Sequence, residues 1–412
     1  MFNRLIFIVV LVLICQKGWA QPYVVGGKTR HRFAQLNLGI DQRFFHSTGS
    51  QSAQLNIFGQ VEHKPLNPFT ETRILIGGTH FWGHADFYIA IPILGLGGSG
   101  FKTEVETGAK YFPWSIAHKK LRPFVGAAWM PFMYQQGDGV ALWRSGLPVQ
   151  AGVAYYRNKH LIEMGVAYNL RNRFNYYISQ SSAVETKTQA LSFSLAYKYQ
   201  LDVTLSAEKD WQSGRTKKIT EVLDSLKRLN GFTLAIGPSS AFFLKPSAYI
   251  NNKAPFADNH KSAQVFAEFG LGYYLHKPDV QVNLAYRSIN SVIEAYGFKN
   301  ELQRKALSFE VYKFIADYHG FVPFIGLAAS LENLQVNETN ASETFEKGVT
   351  TGSPGITFGW DIRPNRIQSW YLRTNLRYFP FLNMTMQDGL QISYNQLEFN
   401  FIQLVVFPER FF

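Results

Sequence analysis

The chain has 412 residues, 46% hydrophobic, 16% aromatic and 17% charged, with a formal charge of +12. This composition excludes disorder and collagen-like sequence, and a single cysteine excludes a disulfide-stapled fold. Thirty-five Phe, 21 Tyr and 33 Gly suit pleated strands, tight bends and aromatic girdles better than helices.

The first element in chain order is Met1 to Ala20, where Arg4 precedes an apolar run from Leu5 to Ile14, and Gly18 and Ala20 precede Gln21. This is the pattern of a secretory signal, too short to span a bilayer as a helix, with cleavage expected after Ala20. Losing Arg4, Cys15 and Lys17 would leave a thiol-free mature chain with a formal charge of about +10. In an exported protein that excess points to anionic lipid heads, lipopolysaccharide phosphates or anionic solutes as partners, and away from nucleic acid.

From Ala34 onward the sequence has a period of two. Leu36, Leu38 and Ile40 alternate with Gln35, Asn37 and Asp41. The strongest run alternates Leu191, Phe193, Leu195, Tyr197, Tyr199 and Leu201 with Ser192, Ser194, Ala196, Lys198 and Gln200. Val280, Val282, Leu284 and Tyr286 oppose Gln281, Asn283 and Arg287 in the same way. After Gln21 no segment reaches the ~20 apolar residues of a membrane helix, so any crossing is by strands. In a soluble sandwich the apolar face would meet a second sheet, and in an outer-membrane barrel it would meet lipid. The signal, the missing disulfides and the aromatic load favour lipid.

Between the strand-rich halves, Thr216 to Leu229 changes to helical spacing. Ile219, Val222, Leu223 and Leu226 share one face, and Asn230-Gly231 supplies a stop. This predicts a connector helix that packs on a rim, plugs a lumen or docks a periplasmic partner. Short connections are expected near Trp82-Gly83, His118-Lys119, Asn158-Lys159, Lys277-Pro278 and Pro364-Asn365. Long ones are expected at Tyr134 to Gly146, Arg171 to Lys187, Asn251 to Lys261, Glu332 to Ser353 and Phe381 to Leu390. Barrel turns are short on the periplasmic side and long outside, which puts the helix in the periplasm.

The halves echo each other. Leu36 to Phe45 aligns with Leu234 to Phe243 without a gap. Pro123-Phe124-Val125-Gly126 returns as Pro323-Phe324-Ile325-Gly326, and Leu191-Ser192-Phe193 as Leu397-Glu398-Phe399. Duplication of an eight-stranded half would explain this, and so would convergent strand chemistry.

Catalytic and metal chemistry finds little footing. Gly95 to Gly100 has dinucleotide-fingerprint spacing but no helix after it, and Ser206 to Lys209 sits in the strongest strand. His80 and His84 lie four apart in a hairpin, where strand geometry separates them by ~13 Å, too far for one metal ion. No catalytic or metal-ligating residue and no cofactor is assigned. Trp143, Arg144, Arg171, Arg173, Tyr176 and Tyr177, in the long connections, form cation-rich aromatic stretches suited to anionic solutes or sugar rings.

The strand-like run Leu397, Phe399, Phe401, Val405 and Phe407, followed by a terminal Phe412, resembles the recognition end of Gram-negative outer-membrane β-barrel proteins. The Pro-Phe-x-Gly strand starts are similar to barrels of the Bacteroidota. The resemblance implies an outer-membrane location and contact with the barrel-assembly machinery through the C-terminal strand. Pro408 cannot donate to a ladder, so the last strand is expected to stop near Phe407. His46-Ser47 near Asp41 faintly resembles outer-membrane lipid hydrolases.

The expected fold is all-β: one transmembrane antiparallel up-and-down barrel of about sixteen strands, with eighteen the next even count. Its first half covers about 33–209, a helical connector 212–230 and its second half about 231–407, with the segment Ala34 to Phe45 a plug or rim piece in the sixteen-strand count. Three functions are open: a channel or transporter for small, possibly anionic, solutes; a non-catalytic docking barrel of an envelope export or assembly machine; and a lipid hydrolase.

Overall fold

The computed structural model describes residues 23–25, 28–30, 34–58, 60–97, 100–116, 120–135, 141–202, 205–206, 215–244, 247–257, 265–317, 320–340, 343–363 and 369–411. The expected signal sequence, Phe412 and the turns at His118-Lys119 and Pro364-Asn365 lie outside these residues.

The walls are built from strands with the expected alternation. β1 (Gln35–Phe45), β2 (Phe69–His80), β3 (Ala85–Gly97), β4 (Glu106–Tyr111), β5 (Leu121–Tyr134), β6 (Pro148–Arg157), β7 (His160–Asn169) and β8 (Leu191–Asp202) pair antiparallel in sequence. β4 bridges β3 and β5, and β8 returns to β1 from Asp202↔Gln35 to Ser192↔Phe45, so the sheet closes into a ring. A second closed barrel follows, made of β9 (Gly231–Phe243), β10 (Phe266–Leu275), β11 (Val280–Ala295), β12 (Phe298–Phe314), β13 (Phe321–Asn340), β14 (Glu343–Ile362), β15 (Trp370–Tyr378) and β16 (Gln396–Val406).

The expected single barrel of sixteen or eighteen strands is therefore corrected to two rings of eight. The free edge of β8 is taken by β1 and that of β9 by β16, so neither ring keeps an edge with which to join the other. The segment Ala34 to Phe45 is corrected too. Its residues Gln35–Phe45 form the first wall strand, with Leu38, Ile40 and Phe44 outward and Gln35, Asn37, Asp41 and Arg43 buried inside.

Both walls are apolar outside. In β8, Phe193, Leu195 and Tyr197 are 48%, 51% and 42% exposed, whereas Lys198 and Gln200 are buried inside. Phe269, Leu271, Leu307, Phe309, Ile325 and Leu327 give the second ring the same greasy exterior.

Connections alternate as expected. One end of each ring carries short links such as 158–159 and 276–279, and it also receives the connector and the chain end. The connector contains α1 (Arg215–Ser225), a turn shorter than the run Thr216 to Leu229. The last strand ends at Val406, and Pro408–Arg410 forms a 3-10 turn. At the other end the small strands Gln51–Leu55, Val61–Pro65, Arg173–Tyr177 and Ala183–Lys187 form a sheet beside the first ring's mouth. α2 (Ala248–Lys253) and the hairpin Asn383–Thr385 with Gln391–Ser393 lie at this end of the second. The expected long connection Glu332 to Ser353 is instead wall. β13 and β14 pair as far as Asn340↔Glu343, because inward Leu334, Val336 and Glu338 keep a buried face.

The rings stand side by side with like ends together. At the short-turn end the His80 ring lies 5.3 Å from Trp360, and Phe81 lies 5.6 Å from Phe321. At the long-connection end Gln180 donates to the Tyr296 carbonyl at 2.9 Å, and the Tyr296 hydroxyl donates to the Tyr177 carbonyl at 2.5 Å.

The sequence echoes fall on equivalent strands: β1 and β9, β5 and β13, β8 and β16. In the second pair, Phe124 faces Gly152 and Phe324 faces Gly359 across the ladder. A Cβ on either glycine would sit 2.6 Å from the ring's Cζ, so each phenylalanine occupies the space its partner leaves. A cation rests on each ring, Lys110 4.7 Å from Phe124 and Arg373 4.9 Å from Phe324.

Candidate functional site

The inward faces of the wall strands carry most of the buried polar and charged side chains. In the fold they meet and fill the rings. In the first ring Arg43 reaches Glu106 at 2.5 Å, and Arg73 pairs with Asp41 and lies 3.3 Å from Glu106. Nearer the short-turn end Lys198 bridges Asp86 at 2.6 Å and Glu163 at 3.1 Å, and Lys110 meets Glu163 at 2.5 Å. Arg122 closes that end, stacked 4.2 Å over Phe112 and donating to the carbonyls of Trp114 and Gly83.

The second ring uses forked arginine pairs. Arg377 binds Glu268 through two contacts of 2.7 Å and reaches Glu310 at 2.7 Å. Arg304 forks onto Glu332 at 2.7 and 2.8 Å and meets Glu398 at 2.7 Å, and Arg287 lies 3.2 Å from Glu398. The Phe379 ring packs beneath Arg287 and Arg304 at 5.0 and 5.3 Å. Tyr274, Tyr312, Phe314, Phe324, Tyr371 and Phe407 fill the short-turn end, with Arg373 held by Asp361 at 2.7 Å among them.

Each buried cation has carboxylate, carbonyl or aromatic partners, as the low-dielectric interior of a ring demands. Inside the first ring Arg43, Arg73, Lys110, Arg122 and Lys198 are matched by Asp41, Glu71, Asp86, Glu106 and Glu163. In the second, Arg287, Arg304, Arg363, Arg373 and Arg377 are matched by Glu268, Glu310, Glu332, Asp361 and Glu398. The positive excess of the chain therefore lies outside the lumens, and an anion-attracting pore lining is not what the basic composition reports. Sequence reading missed this network. Its trace was the recurrence of Arg and Glu on inward positions, but pairing Arg304 with Glu398 needs a register the alternation does not contain.

At the long-connection end both lumens are covered. Phe45, Phe69, Phe101, Phe132 and Tyr134 of the first ring belong to one apolar cluster with Tyr249, Ile250, Phe298, Met384 and Tyr394 of the second. Above it Lys253 bonds Glu338 at 2.5 Å. Burial opposes its charge, but this carboxylate and the Tyr249 hydroxyl outweigh that and hold the ammonium above the ordinary lysine range.

The residues expected to bind anions or sugars separate into two groups. Arg144, Arg171 and Arg173 come together around a hollow of about 420 Å³, lined also by Ser145, Asn172, Phe132 and Phe174. Trp143, Tyr176 and Tyr177 are not among them. Trp143 is exposed on the opposite side of its strand, Tyr176 is buried against Tyr134, and the Tyr177 carbonyl is bound to the second ring. Tyr176, at 1% exposure, has no face left for a sugar.

α1 keeps its apolar stripe largely uncovered. Val222 and Leu226 are 56% and 55% exposed, and Ile219 and Leu223 are half-buried. It does not plug a lumen, since both are occupied by wall side chains. His46 Nδ1 lies 2.6 Å from the Thr48 hydroxyl, and Asp41 faces the lumen with Arg73, so the hydrolase-like grouping does not assemble. His80 is buried among aromatic rings, His84 Nδ1 lies 2.7 Å from the Phe112 carbonyl, and Asp86 is held by Lys198. Among the described residues no three metal-ligating side chains gather, and no helix is long and apolar enough to cross a membrane.

Neither a family model nor a curated protein is found to match the chain. Solved structures similar to it are outer-membrane β-barrels. The β domain of the Bordetella autotransporter BrkA is 11% identical, covering 90% of this chain and 99% of that one at a TM-score of 0.23. Vibrio cholerae OmpT is 7% identical, covering 94% and 100% at 0.19. The Pseudomonas putida toluene transporter TodX is 8% identical, covering 90% and 88% at 0.14. At such scores no residue is placed by the likeness, and the fold rests on the strand pairing.

Proposed function

We propose that the chain is an outer-membrane protein whose two barrels are closed, non-conducting supports embedded in lipid, with its working surfaces at the ends. The apolar outer walls and wall strands of mostly 10 to 14 residues in the first ring suit a tilted crossing of ~9–11 residues. The alternation of short and long connections supports a periplasmic position for α1, where Val222 and Leu226 would offer a docking stripe. Of the earlier readings this is the docking barrel. We also infer that the two rings arose by duplication of one eight-stranded unit, on the strength of the repeated strand positions and the Phe–Gly pairs.

The observation that carries the reading is the packing of both lumens by mutually paired charges. A diffusion channel needs an open polar path, and here the polar groups are spent on each other. Purified full-length protein, inserted in planar bilayers and verified as folded by heat-modifiable gel mobility, is expected to show no discrete conductance steps. Regular anion-selective steps from the same preparation would overturn the scaffold reading. A chain that stays dissolved without detergent after export would remove the membrane reading as well.

A further inference from the structure

The hollow at the mouth of the first ring is built for more than solvation. Arg144 and Arg173 come from different connections, and each long side chain there is steered by something. The Arg144 guanidinium lies 5.5 Å from the Phe174 ring and donates to the carbonyls of Trp143 at 2.8 Å and Asn175 at 3.1 Å. The Arg171 guanidinium lies 5.8 Å from the Trp129 ring. Arg173 has Glu185 at 4.0 Å, a pair more than half exposed on both sides and therefore weak. None of the described residues lining the hollow is acidic, while Ser145 and Asn172 add neutral donors. Guanidiniums carry five N–H donors in a plane, and the two carbonyls that hold Arg144 fix its charge at the hollow without neutralising it. Two guanidiniums set against aromatic rings and a third, Arg173, whose one carboxylate neighbour is the exposed Glu185, leave the hollow net positive and suited to a compact, multiply charged oxyanion.

The surroundings say where such an anion comes from. Trp129 stands on the outward face of β5, and from the hollow an apolar row runs down the outer wall through Leu170 and Tyr168, 55% and 50% exposed. An aromatic ring and a greasy row below a cationic cluster match a headgroup above its acyl chain.

We propose that Arg144, Arg171 and Arg173 bind a phosphate group, presented at the mouth of the first barrel by an anionic membrane lipid. The lipid source rests on the membrane reading above; the phosphate chemistry does not. Full-length protein in detergent is titrated with inorganic phosphate at constant ionic strength. In parallel it is reconstituted in phosphatidylcholine nanodiscs with a minor fraction of phosphatidic acid, and the retained lipid is identified by native mass spectrometry. The expected result is saturable phosphate binding and enrichment of phosphatidic acid, both weakened about tenfold by each of Arg171→Gln and Arg173→Gln, one charge-assisted contact being lost per substitution. Lys64→Gln, an exposed change of equal charge outside the hollow, should leave both unchanged. Arg171→Lys, which keeps the charge and loses the fork, should fall between.

Phosphate saturation without lipid enrichment keeps the site and assigns it to a free anion, overturning the lipid source. Equal weakening by Lys64→Gln and Arg171→Gln, or no saturable binding of either probe, overturns the site. A protein that binds phosphate but does not enter nanodiscs refutes the membrane reading while leaving the site standing.

Discussion

The two rings solve the same closure problem with unequal means. The first has one wall strand of only six residues, β4, and its mouth is flanked by separate small strands. The second continues its own wall, with β11 to β14 running 16 to 20 residues, so its upper lumen is enclosed by continuous ladders. Inside, the first ring mixes lysine point charges with arginine, while the second relies on arginine forks onto carboxylates. Closing a barrel fixes its edges but not its stiffness. Stiffness follows ladder length and the directionality of the buried pairs.

That contrast can be broken by removing one cation from each ring. Arg377→Met strips Glu268 of its cation, leaves Glu310 with only Arg287 at 3.5 Å, and should cost about 3–5 kcal/mol, read as a drop in the heat-modification midpoint. Lys110→Met in the first ring should cost less, since Glu163 keeps Lys198 at 3.1 Å. Equal losses would mean that the fork geometry contributes nothing.

The next largest effect tests sameness rather than difference. Gly152→Leu and Gly359→Leu each force a side chain into space held by Phe124 or Phe324, and each should destabilise by about 1–3 kcal/mol. A marked inequality in unfolding midpoints would argue that the Phe–Gly pairs are not equivalent features of the two units.

Smaller still is the difference in local opening. Backbone amides of β4, paired over six residues to β3 and five to β5, should exchange faster than those of β12 and β13, which share seventeen pairs. Hydrogen exchange with peptide-level mass spectrometry would read this, and uniform protection would dissolve the contrast. Least of all, Lys253→Met should shift stability by under about 1 kcal/mol, because its ammonium is partly exposed and Glu338 keeps Tyr249 and Asn300 as donors.

Much of this architecture was legible in the amino-acid order. The alternation in Leu191 to Leu201 assigned outward and lumen-side residues of β8, and Asn158-Lys159 and Lys277-Pro278 marked real turns. What alternation cannot show is where a wall turns back. The seam between Gln35 and Asp202 joins residues far apart in sequence, and nothing local distinguishes it from continuation into β9. Glu332 to Ser353 was misread as a connection because polar and small residues, read singly, look like loop, whereas Leu334 and Val336 acquire a buried face only against neighbouring strands. For the candidate site, loop arginines were visible as charges, and Arg144, Arg171 and Arg173 do converge. Tyr176 was visible only as an aromatic, and its burial against Tyr134 depends on how the small strands fold over the mouth.

The wall of the first ring lies wholly within residues 35–202, so its backbone is satisfied without anything from the C-terminal half. An assembling chain can complete one cylinder before the next begins. Synthesis interrupted midway would then leave one finished cylinder instead of a ragged sheet seeking a partner.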